Sequence, residues 1–265
     1  MKQAGWNHPG DANWIGVWTL YMREVRRFTK VYTQTLIAPV ITTLLFLAVF
    51  SLAIGGRSSA EIGGVSFLVF LAPGLIMMAI TQNAFANTSS SIVISKIQGN
   101  IVDTLMPPFT ADELTLSIAL GGATRGIVVG CVVAIAMSLF VPIHIHNIGY
   151  ILYHGVMASL MLSLLGMIGG IWSEKFDHIA AATNFIVTPL SFLSGTFYSI
   201  HRLPENWQLA AHFNPFFYMI DGFRYGFIGS YDAEPALGLA VMGGINVFLW
   251  LSCRQMFVTG YRLKA

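Results

Sequence analysis

Charged residues are scarce in this sequence of 265 residues, and 55% of its residues are hydrophobic. Asp, Glu, Lys and Arg account for only 10% of the chain, whereas they make up roughly a quarter of a typical soluble domain. This composition excludes an ordinary soluble enzyme. The formal net charge is +2, so the chain has neither the basic field that binds nucleic acid nor a solvating acidic tail.

Cysteine and lysine are also few, and neither forms a recognisable site. The two cysteines, Cys131 and Cys253, lack metal-site spacing, and the spans assigned below place them too far apart for a disulfide. An ATP-binding loop of the form GxxxxGK[ST] needs a lysine after glycine. The residues that precede the five lysines are Met1, Thr29, Ser95, Glu174 and Leu263. The chain therefore cannot contain this motif, and we expect it to bind no cofactor or metal itself.

The charged residues leave long gaps between them. Uncharged runs cover residues 31–56, 62–95, 126–173, 178–201 and 235–253. Each reaches the length of about 20 residues at which a helix crosses a bilayer. The third run is long enough for two crossings, and the polar segment Pro142–Asn147 divides it. The sequence predicts an all-α integral membrane protein with six transmembrane helices, at 36–55, 65–85, 119–142, 149–172, 179–199 and 236–257.

Positive charge predicts the orientation, because Lys and Arg flanks resist translocation. With both termini in the cytoplasm, ten cations lie inside, namely Lys2, Arg23, Arg26, Arg27, Lys30, Lys96, Lys175, Arg254, Arg262 and Lys264. Three lie outside, namely Arg57, Arg202 and Arg224. We therefore predict a multi-pass protein with cytoplasmic termini at 1–35 and 259–265 and a membrane domain over 36–258. The first apolar run starts after Lys30, so no signal peptide is expected.

The segments outside the spans are unusually apolar. Residues 14–30 mix aromatic and basic side chains, which favours an interfacial amphipathic helix, although a simple anchoring flank fits equally well. In the inner loop 86–113, residues 92–106 predict a short helix on the membrane surface that needs a partner. Its predicted caps are Ser89, Ser90 and Ser91 and its stop is Pro107-Pro108.

The outer loop 199–235 is rich in aromatic residues, which favours helices that enter the membrane partway over a solvated loop. Asp221 and Arg224 are three residues apart, so we expect a structural ion pair on one helix face.

Polar residues within the spans are few. Arg125 is the only charged one, and its predicted position near the inner end of the third span favours a structural anchor over a pathway role. In the fifth span, Asn184, Thr188 and Ser191 share one helix face, where close packing is slightly preferred to a translocation pathway. Pro189 should kink this helix. A shorter stripe, Gln34, Ala38 and Thr42, leads into the first span.

Three functional classes remain. An intramembrane enzyme would need a nucleophile with a base, a carboxylate pair or a metal site, and local spacing assembles none. An ion-coupled secondary transporter usually carries a carboxylate at mid-span, which is missing here, although sodium sites made of carbonyls stay open. The third class is a permease driven by a separate ATPase that docks on the apolar inner loop.

The sequence resembles the ABC-2 type transporter permeases over nearly its whole length. One matching segment is Lys96-Ile-Gln-Gly-Asn-Ile-Val-Asp-Thr-Leu-Met-Pro-Pro108, which is similar to the family's loop between the second and third spans. The others are Phe192-Leu-Ser-Gly-Thr-Phe-Tyr198, Leu203-Pro204, Asn214-Pro215 and Tyr218-Met-Ile-Asp-Gly-Phe-Arg224. The ordered combination is specific. Gln98 and Asn100 flank Gly99 where the family often has Arg or Glu.

The resemblance implies two copies of this permease in the bacterial inner membrane, with two copies of a separate ATP-binding cassette subunit that holds ATP and Mg. It implies a coupling helix, braced by the N-terminal helix, and outer re-entrant helices before the last span. The predicted coupling residues are Lys96, Gln98, Gly99 and Asp103. The predicted pathway residues are Asn184, Thr188 and Ser191, and the predicted outer gate is Asn214, Pro215, Asp221 and Arg224. The expected cargo is amphipathic, either a lipid-linked polysaccharide or a hydrophobic drug.

Overall fold

The computed structural model describes residues 13–54, 61–62 and 64–263, and the cations Lys2, Arg57 and Lys264 of the orientation prediction lie outside this range. The longer helices are α1 (Trp14–Thr29), α2 (Ala38–Ile54), α3 (Phe67–Ile97), α5 (Ala111–Ser138), α6 (Ile148–Trp172), α10 (Pro215–Ile228) and α11 (Pro235–Thr259). The shorter ones are α4 (Ile101–Leu105), α7 (Phe176–Ala182), α8 (Thr188–Leu193) and α9 (Glu205–His212). Strands β1 (Glu61–Ile62) and β2 (Val65–Ser66) form one small antiparallel pair.

Five helices of the described chain are long and apolar enough to cross a membrane. They are Thr33–Ala53, Phe67–Ile97, Ala111–Ser138, Ile148–Trp172 and Pro235–Thr259, and they correspond to five of the six predicted spans. The predicted fifth span at 179–199 is instead a chain of short helical segments that ends at Leu193. A sixth crossing therefore stays a prediction.

Helix α3 lies at the centre of the molecule, between α5 and α6. Glycines on both neighbours allow this close approach, because a Cβ at Gly126 would lie 2.8 Å from the Ile80 carbonyl oxygen and one at Gly170 would lie 3.0 Å from that of Ser89. Small residues give membrane helices this kind of contact. Hydroxyl groups add bonds between helices, and Thr88 Oγ1 donates to the Ser163 carbonyl at 2.7 Å.

The predicted inner loop 86–113 is mostly helical, and its predicted cap is wrong. Helix α3 continues through residues 86–97, and Ser89 and Ser90 donate their hydroxyls to carbonyls four residues earlier instead of capping a new helix. Tertiary packing explains the continuation, because Ile92 and Val93 are buried. The predicted surface helix at 92–106 is therefore split between the end of α3 and the short helix α4.

The helix of the third predicted span begins at Ala111, before the predicted start of the span near residue 119. Thr110 Oγ1 accepts the Glu113 N–H at 3.2 Å, and Glu113 Oε2 accepts the Thr110 N–H at 2.7 Å. This reciprocal pair is a capping box, whose Thr-x-x-Glu spacing is visible in the sequence. Cap chemistry, rather than hydrophobicity, decides where the helix begins.

Proline shapes both the first span and the predicted fifth span. Wide π-helical turns at Thr33–Ile37 and Thr183–Val187 immediately precede the residue before Pro39 and Pro189. A proline ring lacks an N–H and clashes with the carbonyl four residues earlier, so the preceding turn widens. The sequence predicted a kink at Pro189, and the structure has a wide turn there. Pro39 follows an equivalent turn that the sequence reasoning missed.

Candidate functional site

Helix α4 has one face packed on the protein and one face free. Ile101 and Thr104 are buried, whereas Val102, Asp103 and Met106 are exposed. Residues three and four apart share a helix face, so the free side is continuous. We define the coupling surface as Ile97, Gln98, Gly99, Val102, Asp103 and Met106, all of which are exposed.

The turn that precedes α4 depends on Gly99. Its φ of +73° lies in the left-handed region, which glycine adopts far more easily than other residues. The turn ends α3 and exposes Gln98, whose Oε1 accepts from Asn100 Nδ2 at 3.3 Å. Three of the four predicted coupling residues, Gln98, Gly99 and Asp103, thus lie on one exposed surface.

Lys96, the fourth predicted coupling residue, uses its side chain for hydrogen bonds within the protein. Its Nζ donates to the carbonyl oxygens of Ile171 and Ser173, at 2.7 Å in each case. Both carbonyls belong to the end of α6, where a cation complements the helix dipole. In the structure Lys96 joins the C-terminal ends of α3 and α6.

A buried carboxylate connects α1 to α3. Glu24 is only 1% exposed. Its Oε1 accepts from Ser91 Oγ at 2.9 Å and from Arg23 Nη2 at 3.2 Å, and its Oε2 accepts from Arg27 Nε at 3.3 Å. Gly121 leaves room for it, since a Cβ there would collide with the Glu24 side chain.

The two arginines extend this contact in different directions. Arg27 Nη2 donates to the carbonyl and to Oδ1 of Asn87 on α3, the latter at 2.9 Å. Arg23 Nη1 donates to Thr104 Oγ1 of α4 at 2.9 Å. We call Arg23, Glu24, Arg27, Asn87, Ser91 and Thr104 the brace, because together they connect α1, α3 and α4.

Sequence reasoning missed Glu24, Asn87, Ser91 and Thr104 as site residues. One signal was available, because Glu24 lies four residues from both Leu20 and Phe28 and therefore shares their buried face. A single acid on the apolar face of a basic helix requires partners, since a buried charge is costly alone.

The predicted pathway residues do not share one environment. Ser191 is buried and donates its hydroxyl to the Val187 carbonyl of its own helix at 2.8 Å. Thr188 is half-buried, and Asn184 is exposed. The preferred interpretation of close packing therefore describes Ser191, and only Asn184 and Thr188 have accessible side chains.

Arg125 lies further from the start of its helix than the sequence predicted. Because α5 begins at Ala111, 14 residues precede Arg125 in the helix, a rise of about 21 Å. The helix therefore extends beyond the predicted start of the span, and the predicted location of Arg125 near the inner edge of the membrane stays a prediction. Its Nη2 donates to Asn83 Oδ1 of α3 at 3.1 Å.

Asn214, one of the residues of the predicted outer gate, connects the start of α10 to the end of α8. Its Oδ1 accepts the Phe216 N–H at 3.1 Å and so caps α10, and Pro215 begins that helix. The amide Nδ2 of Asn214 donates to Ser194 Oγ at 2.8 Å. The Asn-Pro pair therefore ties the start of α10 to the segment that follows α8.

The predicted ion pair between Asp221 and Arg224 is absent from the salt bridges of the described chain. Arg224, 2% exposed, donates to the Gly195 carbonyl at 2.6 Å, and its guanidinium lies 3.8 Å from the Phe70 ring centroid. Asp221 accepts the N–H groups of Asp232 and Ala233 at 2.9 and 3.0 Å. Each charge has found backbone partners, which is why the two need not pair.

Burial of Asp221 raises the pKa of its carboxyl to about 6, against the opposing effects of the two N–H donors and of Arg224. Asp232, which sequence reasoning missed, extends the same chain of bonds. It accepts from Ser199 Oγ and from the Ile200 N–H, at 2.9 Å in both cases. We call Asn214, Asp221, Arg224 and Asp232 the outer clamp, because they join α10 to residues 194–200.

Comparison with known proteins fits this arrangement. Residues 16–228 match the model of the family described as ABC-2 type transporter. The chain is 35% identical over 252 residues to the inner membrane transport permease YadH of Escherichia coli K12, covering 95% of this chain and 98% of that protein. It is 24% identical over 237 residues to nodulation protein J of Rhizobium leguminosarum bv. viciae, covering 88% and 89%.

The match to the family model includes both the brace and most of the outer clamp, and the YadH alignment extends over nearly the whole of both chains. The five long apolar helices agree with a protein that lies in the membrane. This chain is therefore a membrane permease of the ABC-2 type transporter family.

Proposed function

We propose that this permease is the membrane half of an ATP-driven exporter whose ATP and Mg are bound by a separate ATP-binding cassette subunit. The observation that carries the proposal is the coupling surface, where apolar side chains are exposed beside Asp103 on a helix that is fixed to the protein by its opposite face. Met106 is 77% exposed. Side chains of this kind at a helix end indicate a protein partner rather than water.

Through the brace, a partner that moves α4 also moves the helices bonded to it. Because Arg23 bonds Thr104 on α4 while its neighbour Glu24 bonds Ser91 on α3, a displacement of α4 acts on α1 and α3 together. ATP binding would shift the permease between states only through contacts that differ between those states. Packed, bonded helices transmit such contacts better than a mobile loop does.

We place the inner face at the end that carries α1, α4 and the end of α11. The cations Arg23, Arg27, Lys96, Arg254 and Arg262 cluster there through bonds with α3, α4, α5 and α6. The positive-inside rule supports a cytoplasmic location for this end, in the bacterial inner membrane. Residues 176–193 would then supply the sixth crossing, continued outward by α9 and α10.

We further propose a second copy of the chain as a partner. The first span carries an exposed apolar stripe, namely Ile41, Leu45, Val49 and Leu52, and the segment 183–187 exposes Phe185 and Ile186. The accessible Asn184 and Thr188 lie beside these residues. Two copies facing each other across these elements would enclose a pathway for an amphipathic, lipid-linked or drug-like cargo, and bilayer lipid would cover what remains.

The coupling surface gives a direct test. In the purified complex with its ATPase subunit, Met106→Asp should lower ATPase stimulation by cargo at least tenfold, because a carboxylate would be desolvated at a docking contact. Replacing Gln98 and Asp103 together by alanine should reduce it in the same direction. Membrane insertion and purification yield should stay as in the wild type.

Ile145→Asp is the matched control, since Ile145 is an exposed apolar residue in the connection between α5 and α6, at the other end of those helices. It should leave the stimulated rate unchanged. Equal effects of Met106→Asp and Ile145→Asp would remove the docking assignment.

Transport in sealed vesicles decides between the functional classes. We expect outward movement of an amphipathic cargo only when the permease and the ATPase subunit are present with ATP and Mg. Uphill flux by the permease alone on a proton or sodium gradient would establish the secondary transporter instead. Chemical conversion of a lipid by the permease alone would establish the intramembrane enzyme.

A further inference from the structure

A polar cavity lies between the first span, α3 and α5, within the apolar part of the protein. Its volume is about 300 Å³, enough for roughly ten water molecules or a small polar head group. The polar residues that line it are Gln34, Thr42, Thr43, Gln82, Asn83 and Arg125. Polar side chains inside the apolar part of a membrane protein are costly unless they serve a function or bind a ligand.

The stripe Gln34, Ala38 and Thr42, which the proposed function does not use, forms one wall of this cavity. All three residues are exposed in the single chain. They share a helix face, and the wide turn at Thr33–Ile37 lies at its start. The cavity therefore opens at the surface of the first span, where a molecule can enter it.

Arg125 supplies a positive charge to the cavity without an internal counter-charge. No carboxylate of the described ranges lies within 4 Å of its guanidinium. Its Nη2 donates to Asn83, but its Nε is buried and has no hydrogen-bond partner in the part of the chain that the structure describes. The neighbouring charge is the cation Arg27, held at Asn87 one turn further along α3. A desolvated guanidinium is stable only when an anion or several acceptors satisfy it.

The depth of the cavity matches the inner leaflet. From Phe67, at the start of α3, to Asn83 is 16 residues, or about 24 Å of rise. If Phe67 marks the outer edge of a hydrocarbon core about 30 Å thick, Arg125 lies about 6 Å from the inner edge. The head group of an amphiphile in the inner leaflet reaches this level when it enters a polar cavity.

We propose that this cavity binds the anionic head group of an amphiphile, a phosphate or carboxylate that pairs with Arg125 while its apolar tail stays in lipid beside the first span. The amides of Gln34 and Gln82 can donate further hydrogen bonds to the same anion. This inference rests on the proposed function, because it makes the site an entry point for amphipathic cargo from the inner leaflet.

The test measures binding by the purified full-length permease in dodecyl maltoside, without the ATPase subunit. Dodecyl phosphate is the probe, followed by titration calorimetry. Arg125→Gln should weaken binding at least tenfold, the size of effect expected when a charged hydrogen-bond partner is lost. Arg125→Lys should retain most of the affinity, and the control Arg26→Gln, which removes an exposed cation from α1, should change it less than twofold.

A second variant guards against misfolding of Arg125→Gln. Thr42→Phe keeps the charge and fills the mouth of the cavity, so it should also weaken binding at least tenfold. The proposal is overturned if both variants bind dodecyl phosphate as tightly as the wild type does. So does binding of inorganic phosphate as tight as that of dodecyl phosphate, because the site would then recognise a free anion.

Two further measurements identify the source of the head group. If native mass spectrometry finds a phospholipid that the wild type retains and Arg125→Gln loses, the occupant is a bilayer lipid. If instead dodecyl phosphate is exported by the complete complex and Arg125→Gln lowers that flux, the occupant is cargo. Because the binding assay contains no ATPase, its failure is distinct from a failure of ATP-driven transport.

Discussion

Replacing Glu24 by alanine should destabilise the permease by about 1–3 kcal/mol, the cost of leaving hydrogen-bond donors without their buried acceptor, because Arg23 and Arg27 themselves stay 46% and 31% exposed. The change removes the carboxylate that accepts hydrogen bonds from Arg23, Arg27 and Ser91. The thermal unfolding midpoint of the purified protein should fall, and trypsin should cleave α1 at Arg26 faster. In the assembled complex, stimulated ATPase activity should fall as well, because α1 no longer supports α4.

Asp112→Ala is the matched control for this prediction. Asp112 also pairs with an arginine, Arg254, at 3.0 Å, but both side chains are about half exposed, so the pair should contribute no more than about 1 kcal/mol. Glu24→Gln, which keeps the shape and part of the hydrogen bonding, should lie between the two. A loss of stability in Glu24→Ala no greater than in Asp112→Ala would show that the brace does not hold α1.

Replacing Arg224 by alanine should open the outer clamp. The change removes donors to the carbonyls of Gly195 and Thr196 and empties the space over Phe70. Buried carbonyls without partners and a new cavity both favour local opening. A Thr196→Cys probe, in a background without Cys131 and Cys253, should react with a maleimide at least tenfold faster when Arg224 is alanine.

The comparison variant is Arg202→Ala, because Arg202 is an exposed cation near the same end of the chain. It should leave the maleimide rate unchanged. Arg224→Lys should fall between, since lysine can donate to one carbonyl but lacks the planar group that stacks on an aromatic ring. A probe that reacts equally fast in the Arg224→Ala and parent proteins would contradict the clamp.

The differences between prediction and structure have a common pattern. The spans were predicted from local hydrophobicity, and five of them correspond to long helices. The predicted second span ends before α3 does, and the predicted third span starts after α5 does. The end of α3 at residues 86–97 is helical because α6 packs on it and because α1 bonds to Asn87 and Ser91. The expected pair of Asp221 with Arg224 was inferred from a spacing of three residues, whereas each found backbone partners from a distant segment.

The candidate sites divide in the same way. The family resemblance singled out Gln98, Gly99 and Asp103, and the structure leaves all three exposed, whereas their coupling role stays a prediction. Glu24 could not be assigned its role, because its partner Ser91 lies more than 60 residues away. The residues that bond its neighbouring arginines, Asn87 and Thr104, lie 60 residues or more from them in sequence. The cavity around Arg125 likewise draws its walls from three separate helices.

By itself the sequence determined that the chain lies in a membrane, where its apolar helices run and that it lacks an ATP-binding loop of the Walker type. These properties follow from residue type and local spacing, because a lipid environment imposes its demand on every span separately. Only the tertiary structure decided which polar groups meet. Buried charges are satisfied by whatever partner the packing brings within about 3 Å, and that choice is not encoded in any short stretch of chain.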